Sequence, residues 1–169
     1  MEINELMMLT DQDIDYRSLS ENTLKELALG DELFIATSAL GELSRRKISI
    51  TALIAWEILS KSRGDRYLQA SALEILFNLN REQAMDYISK QAQHSNPYIL
   101  NTILELMIEN ESEFKSERAL SIVRIVGERL QEFDESAEYP SMFLRDSFLK
   151  LYGYVKNIQA VDAIATPFN

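Results

Sequence analysis

Three carboxylates alternate in the run Asp11-Gln12-Asp13-Ile14-Asp15. Alternate acidic residues open a calcium-binding loop, in which successive oxygens converge on one cation. Such a loop also needs glycine at its sixth position, for a sharp turn, and glutamate at its twelfth, for bidentate ligation. Tyr16 and Asn22 occupy those positions, so no calcium site is expected. His94 is the single histidine, and cysteine is absent. The chain therefore has no thiolate nucleophile, no disulfide and no Cys-ligated zinc. Most proton transfer near neutral pH runs through histidine, yet His94 falls beside Ser95 in an expected turn with no G-x-S-x-G elbow elsewhere. Paired carboxylates of the glycosidase kind arise by chance among 27 acids, and no pair stands out. The expectation is a non-enzyme with no cofactor and no metal.

Charge is the stronger signal. The 27 acidic residues against 17 basic ones give a net charge of −10, and the isoelectric point is near 4.6. Such a surface repels phosphate backbones and anionic membranes, so neither nucleic acid nor membrane is an expected partner. A basic protein domain would be attracted and steered. The acidity is uneven. Residues 31–95 balance 8 acids with 8 bases, residues 96–138 carry 10 acids and 4 bases, and residues 1–30 carry 7 and 2. The candidate partner-binding residues are Glu57, Asp86, Tyr87, Glu117 and Glu128. Glu57 is a carboxylate on a helix that is otherwise apolar almost all round, so it must be paired or lie at an edge. Asp86 lies on the polar face of the next amphipathic segment, and Tyr87 flanks its apolar stripe. Glu117 and Glu128 face away from the stripe formed by Ala119, Leu120, Val123, Val126 and Leu130.

These residues need helices to carry them. Only 5 Gly and 3 Pro occur in 169 residues, too few for the many turns of an all-β protein. Helix punctuation is legible instead. Gly30-Asp31 and Gly64-Asp65 pair a stop with an N-cap, Asn96-Pro97 pairs a cap with Pro at the first helical position, and Ser49 and Asn80 are further candidate caps. Pro140 sits where another helix would begin. The pattern predicts helices over 21–29, 32–46, 50–62, 66–79, 81–93, 97–110, 114–133, 141–155 and 158–165. In the helix over 50–62, Trp56 is expected in the core. The N-terminal MEINELMMLTDQD lacks the basic segment of a secretory signal, and no apolar run approaches the length of a membrane span. With cysteine absent, a cytoplasmic protein is the expectation.

The helices repeat. DRYLQASALEIL from Asp65 aligns with NPYILNTILELM from Asn96 at a shift of 31, matching Tyr67 to Tyr98, Leu73 to Leu104 and Glu74 to Glu105. DELFIATSALGEL from Asp31 matches the Gly-Asp pair at 34 and Ser38-Ala39-Leu40 to Ser71-Ala72-Leu73 at 33, a slip of one residue. SMFLRDSFLKLY from Ser141 is a fourth copy, 45 residues after the third. Helix pairs repeating every 31–34 residues predict an all-α fold, a short α-solenoid of antiparallel pairs. The expected organisation is one domain over 1–169, with an N-terminal cap over 1–30, about four copies over 31–155 and a C-terminal cap over 156–169.

The copies resemble HEAT repeats, especially the short HEAT-like kind of phycobilisome lyases and of many bacterial proteins. The resemblance rests on the Asp or Asn cap, an aromatic or aliphatic pair, a small mid-helix residue and a Leu pair, best seen in Asp65, Leu68, Ala70, Ala72, Leu73 and Leu76. The Arg common after the first aliphatic is replaced by Gln69, Leu100 or Ile35, and only the last copy has Arg145. In HEAT-like stacks the second helices line the concave side, which would make their polar faces the binding surface. In size, acidity and lack of catalytic residues the chain is also similar to small bacterial immunity proteins, including those of contact-dependent growth inhibition. That likeness implies binding and neutralisation of a basic toxin domain, such as a nuclease, by covering its active site. A scaffold or regulator with a non-toxin partner is the alternative, and a pigment-lyase-like protein is a weaker one.

Overall fold

The computed structural model describes residues 13–132 and 145–153, and every regular element among these residues is helical. The all-α expectation holds. A 3-10 turn, Tyr16–Ser18, precedes α1 (Glu21–Ala28), α2 (Leu33–Arg45), α3 (Thr51–Ser60), α4 (Arg66–Leu79) and α5 (Arg81–Gln91). After a second 3-10 turn, Ala92–His94, come α6 (Pro97–Glu109), the single turn α7 (Glu111–Phe114), a third 3-10 turn over Glu117–Ala119 and α8 (Leu120–Gln131). Residues 145–153 form α9. The helix expected over 158–165, the start signal at Pro140, the acidic run over 134–138 and the first two residues of the calcium-like run lie outside the described residues.

Several caps form as the sequence predicts. Asp65 accepts from the amides of Tyr67 and Leu68 at 3.1 and 2.9 Å. Asn96 accepts from Tyr98 and Ile99 at 3.0 and 3.1 Å, ahead of Pro97 at the first helical position. Asn80 accepts from the Gln83 amide at 3.2 Å. Gly64 holds φ at +69°, in the left-handed region, and a Cβ there would meet Leu68. Two caps do not form as expected. The chain enters α3 through a backbone turn in which the Thr51 amide donates to the Ile48 carbonyl at 3.0 Å. That turn makes Ile50, not Ser49, the N-cap, and no side chain bonds there. At α2 the one-residue slip of the first copy puts Glu32, not Asp31, at the N-cap, again without a side-chain bond.

The helix expected over 114–133 is broken. At about 100° per residue, a continuous helix would hold Phe114 about 150° away from the stripe of Val123, Val126 and Leu130. Phe114 and that stripe are all buried. The break at Lys115–Ser116 resolves the conflict by turning Phe114 inward, and it leaves Glu117 on a 3-10 turn.

The chain divides into two compact units between Met85 and Asp86. In the first, α3 and α4 form the most extensive helix contact, α1 packs on α2, and α2 packs on α4. Positions 33 residues apart are buried in pairs: Ile35 and Leu68, Ala39 and Ala72, Leu40 and Leu73, Leu43 and Leu76. Trp56 is half-buried rather than in the core, and Leu53 beside it is 63% exposed. The face of α3 that carries them is therefore turned to solvent in this unit. In the second unit Ile99, Ile103, Leu104 and Met107 of α6 are buried, as are Val123 and Val126 of α8 and Phe148 and Leu151 of α9. The Tyr152 ring stacks on Phe148, with centroids 5.8 Å apart.

Candidate functional site

Glu57 is committed inside its own unit. Its carboxylate accepts from Lys61 Nζ at 3.0 Å and from Arg63 at 2.9 Å. The other arm of Arg63 donates to the Leu29 carbonyl, at the end of α1, at 2.9 Å. The hydrogen bond from Lys61, then its charge and Arg63, pull the Glu57 carboxyl below the usual carboxylate range. Glu57 thus orients an arginine that closes a helix end, a structural task for a residue expected to meet a partner. Arg129 repeats the device in the second unit. It donates to the Ser95 carbonyl at 2.9 and 3.2 Å and to Glu132 at 2.7 Å. Each arginine reaches back 34 residues, about one repeat length, which no local reading of the sequence reveals.

A second carboxylate does similar work without having been singled out. Glu42 on α2 is only 8% exposed. Its oxygens accept from Arg45 at 2.6 and 2.7 Å and from Arg46 at 2.8 Å. Arg46 then donates to the carbonyls of Leu19, Tyr16 and Arg17 at 2.9, 2.9 and 3.0 Å, pinning the first 3-10 turn onto α2. The bonds from Arg45 and then Arg46 hold the Glu42 carboxyl at about 2, against an ordinary value of 4.5. The spacing Glu42, Arg45, Arg46 is the signal, since residues three and four apart meet on a helix face.

The remaining candidates face solvent. Asp86 on α5 is exposed and pairs with Lys90 at 2.7 Å. Tyr87 is half-buried, and burial pushes its phenol above the ordinary value. Glu128 on α8 is exposed, and among the described residues its nearest cation is Arg124 at 3.9 Å, the edge of an ion pair. Glu117 is exposed on its 3-10 turn. In the same unit Glu109 is exposed at the end of α6, Glu105 accepts from Asn101 at 3.1 Å, and Glu111 pairs with Lys115. The five candidates are divided between the two units. Glu57 belongs to the first unit, and Asp86, Tyr87, Glu117 and Glu128 belong to the second.

The chain matches no protein-family model, no curated protein and no solved structure. The site must therefore be judged on its own chemistry. Among the described residues, no three His, Asp or Glu side chains stand together as a cation would need. His94 is exposed at the end of its 3-10 turn. A cavity of about 160 Å³ in the second unit is lined by Ile108, Glu111, Ser147, Lys150 and Leu151. It is smaller than the roughly 300–1,000 Å³ clefts that enclose small-molecule ligands, and its one carboxylate is engaged by Lys115. No described helix is long and apolar enough to cross a membrane. What the described surface does offer is exposed carboxylate on helix faces and turns.

Proposed function

We propose that this chain is a non-enzymatic protein-binding module for a basic partner domain. Its sharpest form is a cytoplasmic immunity protein that neutralises a basic toxin domain, such as a nuclease, by covering the toxin's active site. One contrast carries the reading. Glu42 and Glu57 in the charge-balanced segment are tied up by arginines, whereas Glu117 and Glu128, in the acidic segment, lie exposed with no cation among the described residues closer than 3.9 Å. Carboxylates not engaged internally keep their field for a partner, and their sign suits a surface that otherwise grips nucleic-acid phosphate. The helix pairs, with their 31- and 33-residue registers, are read as copies in a HEAT-like solenoid, a scaffold that presents one long face.

Co-expression tests the reading. The polypeptide encoded beside this gene is expressed with and without the chain, and growth and complex formation are followed. Rescue of growth together with a stoichiometric complex is the expected result. A toxic neighbour that neither binds the chain nor is neutralised by it overturns the immunity form.

A further inference from the structure

Phe34 is 81% exposed, more than any other large hydrophobic side chain among the described residues, and Tyr67 is 53% exposed. The two are register equivalents, 33 residues apart, at the second positions of α2 and α4. These helices pack against each other, and the Leu33 side chain comes within 3.4 Å of where a Cβ on Gly64 would lie. Both rings therefore stand at the same end of two adjacent helices. Neither serves the core, which takes the following residue of each copy instead: Ile35 at 4% and Leu68 at 1% exposure.

The two copies differ in how the ring is used. The Arg66 guanidinium lies over the Tyr67 ring, 5.6 Å from its centroid. The position equivalent to Arg66 is Leu33, so α2 supplies no guanidinium to Phe34. The carboxylates differ in the opposite sense. Asp65 spends its oxygen on two amides of α4. At α2 the slip of one residue leaves Glu32 at the N-cap with no side-chain bond and Asp31 one residue farther out, both exposed. An exposed ring and two carboxylates not engaged in capping thus fall within four residues, Asp31 to Phe34.

We infer that Asp31, Glu32 and Phe34 form a docking point for an arginine side chain on a basic partner protein. The inference rests on the protein-binding reading above, and it places a contact on the end of α2 rather than on the second helices. The chemistry selects the occupant. A guanidinium lies flat on an aromatic face and keeps its N–H groups for carboxylates at the ring edge, which an ammonium does less well. The neighbouring copy holds the ring half of this arrangement internally, between Arg66 and Tyr67. A second copy of the chain does not suit the site, because two molecules of charge −10 repel.

The test uses the full chain, isotopically labelled for NMR, and acetyl-Gly-Arg-Gly-amide as the probe. The same peptide with citrulline, which keeps the shape and loses the charge, is the control. The arginine peptide should produce saturable shifts of the Phe34 ring protons and of the first-turn amides of α2, and the citrulline peptide should not. Phe34→Leu should weaken binding about three- to five-fold, as expected for one exposed cation–π contact. The double variant Asp31→Asn, Glu32→Gln should weaken it as well. All three side chains are exposed, and unchanged signals from Leu40 and Leu73 verify the fold of each variant. Equal shifts with citrulline, or a Phe34 ring that does not respond, overturn the inference. Shifts confined to the surroundings of Glu109, Glu117 and Glu128 overturn it too, while leaving the protein-binding reading intact.

Discussion

Gly127 on α8 and Tyr152 on α9 approach so closely that a Cβ at position 127 would lie 2.9 Å from the tyrosine ring. The ring is also backed by Phe148, so it has little room to retreat. Alanine normally stabilises a helix by about 1 kcal/mol relative to glycine. Here Gly127→Ala should instead destabilise the protein by about 1–3 kcal/mol, the cost of overpacking. Urea denaturation of Gly127→Ala, Tyr152→Leu and the double variant checks this. The double variant should recover part of the loss, and purely additive effects would show that the two residues do not meet.

The reach of Arg63 to the Leu29 carbonyl gives a second expectation. Arg63→Met leaves that carbonyl without its charged donor and Glu57 with Lys61 alone. A hydrogen bond from a charged group contributes about 1.5–3 kcal/mol when buried. Arg63 is 38% exposed, so a loss of about 1–2 kcal/mol is expected after solvent screening. Glu57→Gln should cost less, because Arg63 still holds Leu29. Chemical denaturation of both variants decides the order, and a larger loss for Glu57→Gln would make the carboxylate, not the arginine, the keystone.

Acid should act through Glu42. Its folded pKa of about 2 lies below the ordinary 4.5, so between those values the unfolded chain binds the extra proton. The stability that this pairing contributes is complete above about pH 4.5 and is lost as pH falls through about 2. The stability difference between wild type and Glu42→Gln should therefore be constant at neutral pH and shrink from pH 4.5 to pH 2. Limited proteolysis after Arg17 should quicken in the variant, since Arg46 loses the partner that aims it at the first 3-10 turn. A difference in stability that does not change with pH would mean that Glu42 titrates like a free carboxylate.

The sequence revealed those parts of the fold that are local. Caps at Asp65, Asn80 and Asn96 need only a side chain two or three residues from an amide, and they form as expected. The repeat register paired Leu73 with Leu104, and both are fully buried. What escaped was non-local or competitive. Arg63 and Arg129 reach carbonyls 34 residues away, and nothing in their immediate neighbours marks those targets. The break before α8 follows from a conflict between Phe114 and the α8 stripe, which helix periodicity alone averages away. Trp56 looked like core because α3 is apolar almost all round, a pattern that does not say which side has a neighbour. For the candidate site, residue type and rough exposure of Asp86, Glu117 and Glu128 were legible. That Glu57 is paired with Lys61 four residues on was legible from helix spacing, but its hold on Arg63 was not, because that arginine lies beyond the end of its helix.

The acidic surface makes its own prediction, and Glu57 supplies the internal control. If carboxylates of the second unit steer a basic partner, association should slow steeply with added salt, because exposed charges are screened beyond about 8 Å at physiological ionic strength. Glu117→Gln and Glu128→Gln each remove one exposed charge while leaving the shape intact, so they should lower the association rate and flatten its salt dependence, with dissociation little changed. Glu57→Gln removes the same charge from a group already paired with Lys61 and Arg63, so its effect on association should be smaller. Stopped-flow or surface-based kinetics with the basic partner at low and high salt separate these cases. Rates independent of salt, with Glu117→Gln and Glu128→Gln matching wild type, would remove the electrostatic account and leave an apolar contact, such as the face of Leu53 and Trp56, to carry recognition.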